Sequence, residues 1–212
     1  MISFKYFAEP ELLTELSKDT ECSLCGETTV CFPAEAQDEQ GSIEAICPDC
    51  LASGKLMNRD ITTVDGDMNE LERQLSVLHP EMSKTEIVML ADEKKEELEK
   101  TTPPLITFED WLWPCIDGDY CRFIGYGSRA FYDKHADKGG KNLFINSLYN
   151  KAISKAEAEY LWDEVLSEEE IKDYEDSTIE DTVFYVFRGL HSNTFVTIID
   201  SDDEESEYCC KY

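Results

Sequence analysis

Two cysteine pairs with the same spacing most constrain what this chain can fold into. Cys22 and Cys25 form one C-x-x-C pair, Cys47 and Cys50 form a second, and 21 residues separate the two pairs. This spacing is typical of a zinc ribbon, in which two short knuckles place four thiolates around one tetrahedral Zn²⁺. Such a site is closed and holds no water ligand, so it predicts a structural zinc rather than a catalytic one.

Two other uses of these cysteines remain open, namely two disulfides or a thioredoxin-like redox pair. The chain has nine cysteines, an odd number, and neither pair lies in a βαβ pattern, so metal ligation is favoured. Gly26, directly after the first knuckle, can take the positive φ that a turn there requires. Cys31 lies in a run of β-type residues and is expected to be buried rather than a fifth ligand.

Charge excludes several classes of partner. The 212 residues include 47 acids and 19 bases, which gives a formal net charge of −28. Phosphate backbones and anionic lipid surfaces would be repelled by most of this surface, so neither a direct nucleic-acid contact nor a membrane contact is expected. The knuckles themselves are flanked mainly by acids, which argues against a nucleic-acid-reading ribbon. The start of the chain lacks a basic segment and a sustained apolar run, so we expect a cytoplasmic location.

Helical and strand patterns follow in separate parts of the chain. Apolar residues recur at helical spacing over 68–78, where His79-Pro80 ends the helix. Strands are predicted over 28–32 and 43–46, with the polar stretch 35–42 as their turn, and over 183–187 and 195–199 as a hairpin. Capping boxes predict two further helix starts, at Ser83 with Glu86 for a helix to about Lys100 and at Ser154 with Glu157 for a helix to about Leu166.

These patterns predict an α+β protein, with an N-terminal four-cysteine zinc ribbon packed on a body of helices and a short antiparallel sheet. The ribbon module is assigned to residues 1–57 and a helical segment to 58–104. An α+β body over 105–200 and an acidic tail over 201–212 complete the chain.

A second pair of cysteines lies in the aromatic centre of the sequence. Cys115 and Cys121 stand among tryptophans, tyrosines and phenylalanines, which indicates core. Two thiolates alone do not make a zinc site, so two buried thiols are one interpretation. The pair would be workable as a knuckle if the residues between them form a turn.

The cysteine pairs and several later islands resemble the CbrC family of small bacterial zinc-ribbon-containing proteins. The islands cover about a quarter of the chain, in matching order. They are Phe4-Lys5-Tyr6 with Pro10, Cys22-x-x-Cys25-Gly26, Cys47-Pro48-Asp49-Cys50-Leu51-Ala52-Ser53-Gly54, Trp113 with Cys115 and Asp117, Cys121-x-Phe123-Ile124-Gly125, Tyr185-Val186-Phe187-Arg188, and Asp200.

The resemblance implies a second four-thiolate site, because the family's Tyr-x-Phe-Arg run leads into a further C-x-x-C. Gly189 and Ser192 stand at those positions here. The second site, which would include Cys115 and Cys121, is therefore either lost or rebuilt with His191 and another ligand. The family name is attached to tolerance of a DNA-degrading colicin, which implies a role of that kind.

Two functions from different classes follow. Between Glu157 and Glu207, eighteen acids face only Lys172 and Arg188, which favours an acidic protein that binds a basic protein partner, in a toxin-tolerance or immunity-like role. A solvated acidic face without a partner is the alternative for that segment. The enzyme alternative is a thiol-dependent enzyme or hydrolase using Cys115, Cys121 and His191, with Asp117 or Asp119 as orienting group. No catalytic motif is present, so no catalytic residue is assigned and a non-enzymatic role is favoured.

Overall fold

The N-terminal third of the chain forms a three-stranded antiparallel sheet followed by a short helix. The computed structural model describes residues 2–149, 153–177 and 181–202. Helix α1 (Pro10–Leu13) precedes strands β1 (Ser17–Glu21), β2 (Thr28–Asp38) and β3 (Gly41–Ile46), which pair in the order β1-β2-β3. Helix α2 (Pro48–Ala52) follows β3 directly. The fold class predicted from the sequence, α+β with clustered N-terminal cysteines, is confirmed.

The two long helices lie in the middle of the chain. Helix α3 (Met68–Leu78) begins at Asp67, whose carboxylate accepts the backbone N–H of Glu70. Helix α4 (Lys84–Thr101) has the predicted capping box, because the Ser83 and Glu86 side chains satisfy each other's backbone N–H groups. Among the described residues, no helix combines the length and apolar character needed to span a bilayer.

The C-terminal part builds a second antiparallel sheet with short helices on one face. Its elements in chain order are β4 (Cys115–Ile116), β5 (Asp119–Tyr120), β6 (Arg122–Tyr126), α5 (Arg129–His135), α6 (Gly140–Ser147), α7 (Lys155–Tyr160), α8 (Tyr174–Ser177), β7 (Thr182–Arg188) and β8 (Phe195–Ser201). Strands β4 and β5 form a hairpin, and β6, β7 and β8 form the sheet in that order.

Two local predictions differ from the structure, and a third falls mostly on residues that the structure does not describe. Strand β2 continues through most of the polar stretch predicted as a turn, because Asp38 stays in register with Gly41 and the chain reverses only at residues 39–40. The helix predicted to run to Leu166 changes after Tyr160 into a π-helical turn, Leu161–Val165. Most of the predicted acidic tail, with Cys209 and Cys210, lies outside the described residues.

Strand β7 separates two hydrophobic clusters by simple alternation of side chains. Val183, Tyr185 and Phe187 belong to the larger cluster, whereas Phe184 and Val186 pack with residues of α5, α6 and the π-helical turn on the other side. The smaller cluster therefore lies between one face of this sheet and the helices that cover it.

The larger cluster joins the N-terminal sheet to the body. Phe7 is fully buried, with its ring centroid 5.0 Å from that of Phe123 and 6.4 Å from that of Trp113. Backbone hydrogen bonds join the same two segments. The Phe123 N–H donates to the Tyr6 carbonyl (2.8 Å), and the Ala8 N–H donates to the Phe123 carbonyl (2.9 Å). The segment at Phe7 thus adds a short parallel pairing to β6. The boundaries at 57 and 104 remain predictions.

Replacing Phe7 tests whether this shared core makes the chain unfold as one unit. Phe7→Ala removes a fully buried ring and is expected to lower the free energy of unfolding by about 3–5 kcal/mol. We expect one transition, with tryptophan fluorescence and far-UV circular dichroism changing together. Val77→Ala, at a site that is 70% exposed, serves as the control with a change under about 0.5 kcal/mol. Two separate unfolding transitions, one of which leaves the tryptophan fluorescence unchanged, would contradict a shared core.

Candidate metal centre

Two chain reversals place the four predicted cysteines together. Cys22 follows the end of β1, and Cys25 lies in the turn before β2. Cys47 follows β3 as the N-cap of α2, and Cys50 lies within that helix. Because β1, β2 and β3 are antiparallel neighbours, the ends of β1 and β3 lie at the same edge of the sheet.

The four sulfur atoms have the separation that a tetrahedral metal requires. All four lie within 4.8 Å of one another, and the Cys25 and Cys47 sulfurs are 3.9 Å apart. Zn–S bonds of about 2.3 Å in a tetrahedron place sulfurs about 3.8 Å apart. Cys22, Cys47 and Cys50 are buried, whereas Cys25 is exposed, and all four are free thiols. The residues therefore fit a four-coordinate metal ion and are not disulfide-bonded.

Backbone groups of the knuckles stabilise the thiolate of Cys22. Burial works against this charge, but backbone N–H groups of Cys47, Leu24 and Cys25 outweigh it and lower the pKa of Cys22 to about 6. The Cys47 N–H lies 3.3 Å from the Cys22 sulfur. Gly26 adopts φ 74° and donates its N–H to the Cys22 carbonyl at 2.8 Å, which closes the knuckle as the sequence predicts.

At the second knuckle, formed by Cys47 and Cys50, burial has the largest effect on the thiol pKa values. It raises the pKa values of Cys47 and Cys50, so these thiols favour the protonated form when no cation is near. Lys55 partly offsets this effect at Cys50, because its Nζ lies 3.1 Å from the Cys50 sulfur. Four thiolates around one divalent cation would carry excess negative charge, and the Lys55 ammonium is placed to reduce it.

Cys31 lies next to the cluster but outside the group of four. Its side chain is fully buried and its sulfur lies 3.6 Å from the carbonyl of Thr20. Burial, and then the charges of Cys22, Cys47 and Cys25, raise the pKa of Cys31 to about 11. These contacts agree with a buried thiol that packs behind the site.

Cys115 and His191 face different neighbours. The Cys115 sulfur lies 3.9 Å from the Tyr149 hydroxyl and 3.7 Å from Gln74 Nε2, whereas His191 Nε2 lies 3.6 Å from Asp119. Cys121 is fully buried. Within residues 2–149, 153–177 and 181–202, the four N-terminal cysteines form the one cluster of three or more metal-ligating side chains. Cys115, Cys121 and His191 therefore do not meet as a ligand set here.

The turn between Cys115 and Cys121 is present and brings the 189–192 loop close. Asp117 and Gly118 adopt φ values of 57° and 74°, which suits a two-residue hairpin turn. A Cβ built on Gly189 would lie 2.9 Å from Ile116 Cγ2 and 2.7 Å from the Ser192 hydroxyl. The loop packs tightly against the hairpin, so a side chain at position 189 would need its neighbours to shift.

A buried carboxylate beside this hairpin was not predicted from the sequence. Asp119 accepts hydrogen bonds from Lys94 Nζ (2.8 Å), the Tyr6 hydroxyl (3.0 Å) and the Tyr120 N–H (2.9 Å), and Lys5 Nζ lies 3.6 Å away. Burial opposes the charge, but Lys94 and Lys5 outweigh it and hold the pKa of Asp119 below its usual range. The sequence analysis considered Asp119 as an orienting group for a thiol. Its distant partners come from two segments, residues 5–6 and helix α4.

Replacing Asp119 gives a pH-dependent loss of stability. Asp119→Asn removes the buried counter-charge of Lys94, whereas Lys5 keeps Glu97 at 2.7 Å, and the change is expected to cost about 3 kcal/mol at pH 7. Folding lowers the pKa of Asp119. Its carboxylate therefore contributes its full stabilisation above the unfolded pKa of about 3.9, and this stabilisation is lost as pH falls through the folded pKa. Denaturant unfolding of both proteins from pH 7 to pH 3 measures the difference, with exposed Asp92→Asn as control. A difference that is constant with pH would contradict this assignment.

Comparison with known proteins identifies a family. Neither a curated protein nor a solved structure matches this chain. The sequence pattern of the Uncharacterised protein family (UPF0167) matches residues 1–201, which include both cysteine pairs, the Asp119 hairpin and the strands β1 to β8. The chain belongs to this family.

Proposed function

We propose that this protein is a zinc-stabilised, acidic protein that binds a basic protein partner. The observation that carries the proposal is the acidic character of residues 153–177, which contain ten acids and two lysines. We call this segment the acidic face. Its exposed carboxylates include Asp163, Glu164, Glu169 and Asp176. Carboxylates at such density speed the encounter with a basic surface and repel nucleic acid.

Neighbouring bases offset only part of this charge. Arg129, Lys134 and Lys141 pair with Glu168, Glu170 and Asp163 at 2.7–3.1 Å. Exposed pairs of this kind contribute little to stability, roughly 0–1 kcal/mol each. A basic partner could therefore displace them at low cost, which supports a binding role for the acidic face.

The resemblance to the CbrC family supports a specific partner class. Tolerance of a DNA-degrading colicin would follow if the acidic face covers the basic, phosphate-binding surface of such a nuclease. We propose a toxin-tolerance or immunity-like role on this basis. It needs no catalytic residue and places the protein in the cytoplasm, where the nuclease acts.

A thiol-dependent enzyme or hydrolase is the alternative, and it is less favoured. Burial, only partly offset by the hydrogen bond from Tyr149, raises the pKa of Cys115 to about 12. A thiol nucleophile needs the opposite shift and a base beside it. His191 lies against Asp119 rather than against either thiol of the proposed pair.

Zinc is the metal we propose for the four cysteines, because four thiolates in tetrahedral arrangement suit Zn²⁺ and leave no open position for catalysis. We expect one Zn²⁺ per chain by metal analysis of the purified protein. Cys22→Ser and Cys47→Ser should lose it, and chelation should loosen at least residues 2–57 because zinc binding supplies folding free energy. Cys115→Ala is the control and should keep full zinc content. Full zinc content in both serine variants would contradict the assignment.

Charge reversal tests the acidic face. The triple variant Glu164→Lys, Glu169→Lys and Asp176→Lys should slow association with an inactivated colicin DNase domain at low salt, because it removes part of the steering field. Raising ionic strength from about 0.01 M to about 0.15 M shortens the Debye length from about 30 Å to about 8 Å and should slow the wild-type protein as well.

The control changes the same total charge on another surface. Asp92→Lys, Glu93→Lys and Glu96→Lys reverse three exposed acids of α4. Stopped-flow association rates should fall for the acidic-face variant and much less for the α4 variant. Equal rates for all three proteins, or no binding to the nuclease domain by any of them, would contradict the proposed function.

A further inference from the structure

A cleft on the body of the protein has the lining of a cation-binding site. It encloses about 510 Å³ between residues 62–65, which precede α3, and residues 105–113, which follow α4. This volume lies within the range of about 300–1,000 Å³ that ligand pockets occupy. Trp111 and Trp113 form its aromatic wall. Asp110 adds an exposed acid to the lining, whereas the carboxylate of Asp65, another lining residue, is already paired with Lys95.

The aromatic wall is rigid. The Trp111 ring centroid lies 5.2 Å from that of Tyr185, 5.9 Å from that of Phe187 and 6.3 Å from that of Trp113. Trp113 is almost fully buried, whereas Trp111 is half-buried and keeps part of its ring accessible. Trp111 also lines the cleft, and an indole ring is the preferred aromatic surface for a guanidinium group.

The loop at the mouth of the cleft is held in place from beneath. The buried carboxylate of Asp200 accepts the backbone N–H groups of Phe108 (2.8 Å) and Glu109 (3.1 Å), and the Tyr185 hydroxyl donates to the Ile106 carbonyl (2.9 Å). At the inner end, Trp113 N–H donates to the Asp65 carbonyl (2.7 Å). These bonds fix the loop, so a ligand would not need to order it on binding.

Apolar side chains stand exposed on this fixed loop. Ile106 is 40% exposed and Phe108 is 45% exposed, and both flank cleft residues. Exposed apolar side chains beside a pocket are a feature of protein-binding surfaces. Glu109, between Phe108 and Asp110, is also exposed and adds negative charge to the rim.

We propose that this cleft binds an arginine side chain of an extended basic segment, with the guanidinium between Asp110 and the Trp111 face. Neighbouring apolar side chains of that segment contact Ile106 and Phe108. The proposal rests on the proposed function in that the basic partner supplies the segment. It adds a specific recognition site to the general attraction of the acidic face.

A short peptide serves as the probe. Acetyl-Gly-Leu-Arg-Leu-Gly-amide should quench or shift the tryptophan fluorescence of the full-length, zinc-loaded protein as it saturates the site. The same peptide with citrulline, which has the shape of arginine without its charge, should bind about tenfold or more weakly, because a charge-assisted hydrogen bond is lost.

Matched variants locate the site. Asp110→Asn should weaken binding of the arginine peptide about tenfold, whereas Glu109→Gln, at the adjacent exposed position outside the cleft lining, should weaken it less than about threefold. Phe108→Ala should weaken the leucine-containing peptide but not a version with glycine in place of both leucines. Far-UV circular dichroism and zinc content confirm that each variant is folded.

Three results would contradict the proposal that the cleft binds arginine. They are equal binding of the arginine and citrulline peptides, equal effects of Asp110→Asn and Glu109→Gln, and an acidic-face triple variant that weakens the peptide as much as Asp110→Asn does. If the nuclease domain still binds through the acidic face in that case, only the cleft proposal fails. If the peptide binds as expected and the nuclease domain does not bind, the proposed function fails and the cleft stands.

Discussion

The contact of Phe7 with Phe123 and Trp113 is the interaction on which the arrangement of the whole chain depends. It lies where the N-terminal segment pairs with β6, so backbone hydrogen bonds and aromatic packing fix the same junction. Phe187, from β7, completes the cluster with its ring centroid 4.9 Å from that of Trp113. The N-terminal sheet and the body share this hydrophobic cluster, which also contains Cys22, Cys47 and Cys50.

The chemistry of the cysteine cluster follows from its burial in this core. Three of the four thiols are buried, and burial alone would keep thiols protonated. Backbone N–H groups oppose this at Cys22, and the Lys55 ammonium opposes it at Cys50. The first knuckle is thus prepared for a cation by backbone geometry, and the second needs the charge of the cation together with Lys55. A site built in this way gains most of its stability when the metal binds.

The features predicted correctly from the sequence are those that depend on residues close together in the chain. Cysteine spacing predicted the cluster, and the pairing of Ser83 with Glu86 predicted the start of α4. The sequence did not predict strand β1, because its residues Ser17–Glu21 are mostly polar and form a strand only through pairing with β2. It also missed the partners of Asp119, because Tyr6, Lys94 and Asp119 lie far apart in the sequence and no periodicity connects them. His191 was assigned to a thiol site because of its neighbours in sequence, whereas the fold places it against Asp119.

The acids of the chain divide into two classes by what the fold does with them. Asp119 and Asp200 are buried, and each accepts hydrogen bonds from donors in distant earlier parts of the chain, so they act as internal cross-links. The carboxylates of the acidic face remain at the surface, where repulsion between like charges opposes folding without adding a contact. A chain with a net charge of −28 keeps this arrangement only if the core and the cysteine cluster supply enough stability to offset the repulsion. Under the proposed function, the same repulsion would favour association, because a basic partner would remove it on binding. The zinc proposed for the four cysteines and the proposed binding surface are therefore linked, because folding free energy from the metal would offset the repulsion that the acidic face creates.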